Sequence, residues 1–261
     1  MPSRESPDAA IELLLERGYS ACEIDFEGGF WMKPEWEWAA RFGELAKKNK
    51  IVLSIHAPIA AILGHLPGDE GKRKRAFGMI DHSAGVATAV GAELLVVHPG
   101  YLLGREREAA LESVADDLAA LRERLEPKGR TVAFGVEIMG RVRELGTPED
   151  VFWLAARFDW VRPVLDFAHL HAVTDGGFTN ADVFAGVLAA ARVRPSRKPG
   201  WKTTGSAPAA LAIPAEWSSI PTAMRCFLSR STWPMKPAIG ACTDRAIFSS
   251  RARLPNSAAH S

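Results

Sequence analysis

LLVVHPG, residues 94–100, decides how this sequence folds. Four branched apolar residues with no polar alternation describe a strand buried on both faces, the pattern of a parallel sheet covered by helices. A histidine stands at its exit, and Pro99 and Gly100 turn the chain there. The same design recurs on either side. IVLSIH (51–56) ends on His56, VAFGVE (132–137) on Glu137, and RPVLDFAHLH (162–171) carries Asp166, His169 and His171 past its apolar core. The runs lie roughly 30 to 40 residues apart, the length of a strand–helix–strand unit. Parallel strands joined by such units send their exits to one side. Four exits ending in His, His, Glu and Asp therefore predict a metal site at the C-terminal rim of a β/α barrel.

The segments between the runs read as helices. Ser6-Pro7-Asp8 has the form of a helix start, with Ser as N-cap and Pro in the first turn, ahead of AAIELLLERG. CEIDF (22–26) follows as a strand. PEWEWAARFGELAKKN places Trp38, Phe42 and Leu45 on one face. KRKRAFGMIDHSAGVATAVG, REREAALESVADDLAALRERLE and a helix begun by Thr147-Pro148-Glu149-Asp150 precede the next three strands, and Asn180 is placed to cap ADVFAGVLAAAR. Five strands alternating with six helices make a parallel α/β fold.

The alternation stops near residue 193. Residues 1–193 form the barrel-like, metal-site part, while 194–261 hold eight of the 17 prolines and 10 Lys/Arg against two acids, Glu216 and Asp244, a balance of +8. That composition predicts a poorly ordered, basic Pro/Ser/Ala-rich tail. CFLS (226–229) and RAIFSS (245–250) are its weak strand candidates, so the barrel reads as incomplete, without a first strand and its last two. A shift of reading frame near residue 193 would account for the simultaneous jump in charge and proline content. Sequencing the gene across codons 185–215 tests this.

The remaining 193 residues carry a balance of −7, so the body is not a basic nucleic-acid platform and any DNA contact needs local positive charge. No apolar run reaches the roughly 20 residues of a membrane span, and MPSRESPDAA has no apolar signal core. Cys22, Cys226 and Cys242 are too far apart for a thiolate zinc site. These features predict a cytoplasmic protein. No glycine-rich phosphate loop or nucleophile elbow is present.

Imidazole is the commonest metal ligand among side chains, and neutral at pH 7 it is cheap to desolvate. A carboxylate at a buried strand end, as at Glu137, calls for a cation. Asp166 and His169 are spaced to face one cavity. Asp166 has a competing use as a helix N-cap, with His171 a surface residue. His65 and His82 read as structural or exposed. Glu23 and Asp25 alternate on the first strand toward the inner side, where ion pairing is their expected use.

The strings HAPI, HPGY, GVEIMGR with ELGTPED, and VLDFAHLHA with Gly176-Gly177 together resemble the endonuclease IV family. These are the zinc-dependent abasic-site endonucleases among the xylose-isomerase-like TIM barrels, and the resemblance covers about residues 6–192. It implies a TIM barrel that cuts the DNA phosphodiester beside an abasic nucleotide, in base-excision repair. It also implies that His56, His98, Glu137, Asp166 and His169 are zinc ligands, with Glu137 bridging two ions at the catalytic centre. The family carries Tyr where Ile59 stands, Asn where Ile62 stands, and a Thr-rich segment where Ile138-Met139-Gly140 stands. Its later ligands are not legible in 194–261. Two other functions fit the same barrel: a sugar isomerase or epimerase using Mg2+ or Mn2+, and a non-catalytic remnant.

Overall fold

The computed structural model describes residues 6–26, 35–192 and 225–226. In chain order the elements are α1 (Pro7–Glu16), β1 (Ala21–Ile24), α2 (Trp36–Lys48), β2 (Val52–His56), α3 (Glu70–Val90), β3 (Leu94–Val97), α4 (Arg107–Leu125), β4 (Ala133–Glu137), α5 (Pro148–Arg157), β5 (Val161–Asp166), α6 (Phe167–Val173), α7 (Ala181–Arg192) and β6 (Arg225–Cys226). The first five strands pair in sequence order and all in parallel. The fold is the expected partial TIM barrel.

Two features depart from the sequence expectation. A seventh helix, α6, begins directly at the end of β5, because Asp166 accepts hydrogen bonds from the Ala168 and His169 amides and so caps it. The sixth strand pairs with β5 antiparallel, Leu165 with Cys226 and Asp166 with Arg225, where a closed barrel would continue in parallel. The expected tail at 194–261, and with it the expectation of poor order there, lies outside the described residues apart from those two.

Local signals act as read. Ser6 accepts from the Ala9 amide at 3.0 Å, and Thr147 with Asp150 forms a reciprocal capping box at α5. Asn180 accepts from the Asp182 amide.

The strands divide their side chains between two faces. Ile24, Leu53, Ile55, Leu95, Val97, Phe134, Val136 and Leu165 join one large core under the helices. Each such fully buried side chain contributes about 1.5–3 kcal/mol of transfer free energy. Leu94, Val96 and Val164 form a separate small cluster with Ala133 on the inner face. A Cβ on Gly135 would lie 2.6 Å from Val164 and 2.7 Å from Leu94, so this inner layer is filled. Continuing the inner parity upward along each strand gives His56, His98, Glu137 and Asp166.

The helix layer is tied by one charged cluster. Asp81 on α3 pairs with Arg124, Lys128 and Arg130, which follow one another from the end of α4 to the approach to β4. Burial works against the Asp81 carboxylate, but these cations hold its pKa below the ordinary value. Asp81→Ala strands three partly exposed cations, and we expect a loss of roughly 1–3 kcal/mol in urea unfolding. The Asp81 contribution is present above the ordinary carboxylate pKa and fades as pH falls through the depressed one.

Candidate metal centre

Each inner-face exit brings one donor to the same place. His56 is the last residue of β2 and Glu137 the last of β4. Between them, His98 follows β3 by one residue. Glu137 is fully buried and His56 nearly so. Two imidazoles meet one carboxylate oxygen: His56 Nε2 lies 2.9 Å and His98 Nε2 3.2 Å from Glu137 Oε2. The two rings stand edge to face, with centroids 5.0 Å apart. The ligand atoms of His56, His98 and Glu137 fall within 4.8 Å of one another, as do those of Glu137, Asp166 and His169. All five residues singled out in the sequence are thus brought together, with Glu137 shared by both groups.

The chemistry of the first trio fits a cation. His56 Nδ1 faces the Ala57 carbonyl oxygen at 2.7 Å, while Nε2 faces the Glu137 carboxylate. Both neighbours only accept hydrogen bonds, so the ring either carries two protons or gives Nε2 to a metal. Burial alone would lower the His56 pKa, but the hydrogen bond and charge of Glu137 outweigh it and raise it above the ordinary value. The Nδ1–H donated to Ala57 fixes the tautomer a metal needs at Nε2. Three N/O donors of this kind suit zinc with a further open position.

The second group is arranged differently. His169 Nδ1 lies 3.5 Å from Asp166 Oδ2 and 3.8 Å from Glu137 Oε1, yet it donates to the Ile138 carbonyl at 2.8 Å. To ligate through Nδ1 it must release Ile138. Gly140 lets the ring come close, since a Cβ there would lie 3.0 Å from the His169 ring. Asp166 Oδ1 caps α6 while Oδ2 remains toward the site, so the N-cap and ligand readings of this residue are compatible.

The loops that carry these residues are braced by groups the sequence reading missed. Buried Asp117 on α4 accepts from the Gly64 amide and pairs with Arg73. Arg105 donates to the Gly64 and Tyr101 carbonyls and to Ser113. Asp150 accepts from the Gly146 and Thr147 amides and pairs with Arg107. The sequence signal of Asp117 was an acid on an otherwise apolar helix face, and that of Asp150 was its place in the helix start Thr147-Pro148-Glu149-Asp150. The other polar candidates stand outside the two donor groups, although the charge of Glu23 still reaches His56 and favours its protonated form. His82 packs edge-on against Phe26 and Trp36, and half-buried His65 is driven by burial to a lower pKa. Glu23 accepts from Ser54 Oγ at 3.4 Å on the inner face. The Cys22 thiol is pushed up to about 11, chiefly by burial, which makes it a poor nucleophile at neutral pH.

The sequence from residue 11 to 197 matches the xylose isomerase-like TIM barrel family. The chain belongs to that family. A relative, an uncharacterised protein of Methanocaldococcus jannaschii, is 26% identical over 186 residues, which cover 71% of this chain and 65% of the relative. Among solved structures, endonuclease IV from Thermus thermophilus superposes with a TM-score of 0.56 at 22% identity, over 74% of this chain and 68% of that one. A D-tagatose 3-epimerase-like protein superposes with a TM-score of 0.51 at 25% identity, over 66% and 65%. The chain thus spans 65% of the length of the Methanocaldococcus jannaschii relative and 65% of that of the D-tagatose 3-epimerase-like protein. Both an endonuclease and an epimerase lie among the structural neighbours of this family member. Among the described residues no helix is long and apolar enough to cross a membrane.

Proposed function

We propose that this chain is a zinc-dependent phosphodiesterase of the endonuclease IV kind, which hydrolyses the DNA backbone at abasic sites. One observation carries the reading: three imidazoles, His56, His98 and His169, outnumber the two buried carboxylates, Glu137 and Asp166, in the two overlapping donor groups. Sites built for Mg2+ or Mn2+ lean on carboxylates, whereas imidazole-rich sites favour zinc. The strings HAPI, HPGY and VLDFAHLHA, which resemble those of endonuclease IV, support the same reading.

His56, His98 and Glu137 would hold one zinc, and Glu137, Asp166 and His169 would hold a second. Bound zinc supplies Lewis acidity toward a phosphoryl oxygen and lowers the pKa of water to about 7. The protein's own contribution is placement. The Glu137 side chain is fully buried, so its charge acts at low dielectric. The Ala57 carbonyl orients His56, and α6 fixes Asp166 through its two cap hydrogen bonds.

Zinc must displace the second proton of His56. We therefore expect apparent zinc affinity to rise about tenfold per pH unit from pH 6 until the raised pKa of His56 is passed, with one proton released per zinc in calorimetry. An affinity flat across pH 6–8 would contradict that expectation.

A second reading, a metal-dependent sugar epimerase, is favoured by the likeness to the D-tagatose 3-epimerase-like protein. The test is nicking of a duplex carrying one abasic analogue, with and without a chelator. Chelator-sensitive nicking beside the analogue is the predicted result. Turnover of a ketose without nicking would establish the epimerase, and metal binding with neither activity would establish a remnant.

A further inference from the structure

The body of this chain is acidic, so a DNA substrate requires a local basic surface, and the rim supplies one. Arg141 and Arg143 are exposed four and six residues beyond Glu137, and among the described residues neither side chain has a hydrogen bond or ion pair. Most other basic side chains near the rim are occupied: Arg73 by Asp117, Arg105 by backbone carbonyls, Arg107 by Asp150. Val142, between the two arginines, is 79% exposed, the highest value among the large exposed hydrophobic residues. The tripeptide is held out by a rigid turn. The Arg141 amide donates to Glu144 Oε2 at 3.1 Å, and the Glu144 amide donates to the Arg141 carbonyl at 3.0 Å.

The neighbouring loop adds to this surface. Tyr101 bridges Glu144, and the Leu102 amide donates to the Arg143 carbonyl at 3.1 Å, which ties the loop after β3 to the loop after β4. The next residue, Leu103, is 46% exposed and has φ of 53°. A left-handed leucine costs roughly 1–2 kcal/mol, and exposure returns little of that through burial. The Arg105 amide closes a turn on the Leu102 carbonyl at 3.0 Å, with positive φ at both Leu103 and Gly104, and this turn holds the leucine out at the surface.

We propose that Arg141 and Arg143, with Val142 and Leu103 between and beside them, form a ledge that seats the phosphate backbone of duplex DNA next to the metal centre. The proposal rests on the phosphodiesterase reading and names its substrate contact. The arginines pair with phosphates on either side of the strand's path. Val142 and Leu103 lie against the sugars between them. An uncharged or singly charged sugar would use at most one of the two cations, whereas a polyanion uses both.

The test is fluorescence anisotropy of the full chain with a labelled intact duplex, across a salt series, in chelator so that no cleavage intervenes. Neutralising two phosphate contacts changes the slope of log affinity against log salt by about 0.9 each. Arg141→Ala/Arg143→Ala should therefore flatten the slope by about 1.8. Val142→Ser should weaken binding severalfold with the slope unchanged. Lys47→Ala/Lys48→Ala removes the same charge from exposed positions at the far end of α2 and should leave the slope as in the parent. An unchanged slope in the arginine variant, an equal change in the lysine variant, or no duplex binding by the parent would each overturn the ledge. Abasic-site nicking, measured separately with zinc, decides the phosphodiesterase reading. A parent that nicks but binds independently of Arg141 and Arg143 refutes the ledge alone; one that binds through them but never nicks refutes the activity alone.

Discussion

Glu137→Gln should abolish zinc-dependent turnover and weaken zinc binding more than about a hundredfold, beyond the loss usual for a residue that only supports a ligand. The side chain is fully buried, with one oxygen shared by His56 and His98 and the other toward His169. An amide of the same shape keeps the packing but supplies no negative charge to share between two cations. Its NH2 group would also face an imidazole nitrogen across about the same gap. The variant should remain folded, because nothing is removed from the core. A second readout separates charge from shape. Without Glu137 the influence that raises the His56 pKa is gone, and burial, which lowers it, dominates. In metal-free protein the His56 ring should titrate well below its parent value by NMR. A variant that keeps parent-like zinc affinity and a parent-like His56 titration would show that Glu137 is not the centre of the site.

Gly100→Ala should cost about 3 kcal/mol or more and reduce zinc affinity with it. Gly100 has φ of 95°, a conformation that L side chains rarely adopt. A Cβ there would also sit 2.2 Å from the Leu63 carbonyl oxygen, a backbone atom that cannot swing aside. Leu63 belongs to the loop that leaves β2, and the Gly100 carbonyl in turn accepts from the Leu145 amide. One glycine therefore joins the loops after β2, β3 and β4, two residues from His98. Displacing it moves ligand loops relative to one another. Gly91→Ala is the comparison: φ is 67°, but no atom lies within 4 Å of the added carbon, so only the conformational strain of roughly 1 kcal/mol applies. Equal losses in urea unfolding for the two variants would contradict this account of Gly100.

The parallel sheet was legible because its strands are short, apolar on both faces and separated by helices of the right length. The five ligand candidates were legible because a His, Glu or Asp at the end of a run such as LLVV or VAFGV has few other reasons to be there. Strand parity was not. LLVV is apolar throughout, so the sequence cannot say that Leu94 and Val96 face inward while Leu95 and Val97 face the helices. Helix α6 was missed because FAHLHAV is too short for helical periodicity to show, and its start depends on Asp166 acting as a cap as well as facing the site. The bracing by Asp117, Asp150 and Arg105 was hidden for another reason. Asp117 reaches Gly64, Arg105 reaches Gly64 and Asp150 reaches Arg107 across 41 to 53 residues, and a side chain's partner at that separation has no local signature.

The most direct test is the zinc content of the full chain after chelation, reconstitution and exhaustive dialysis, measured beside His56→Ala and His98→Ala. The account predicts at least one zinc retained per parent chain and its loss in either variant, with far-ultraviolet circular dichroism unchanged. A parent chain that retains no zinc, or variants that retain as much as the parent, would contradict a metal centre built on His56, His98 and Glu137.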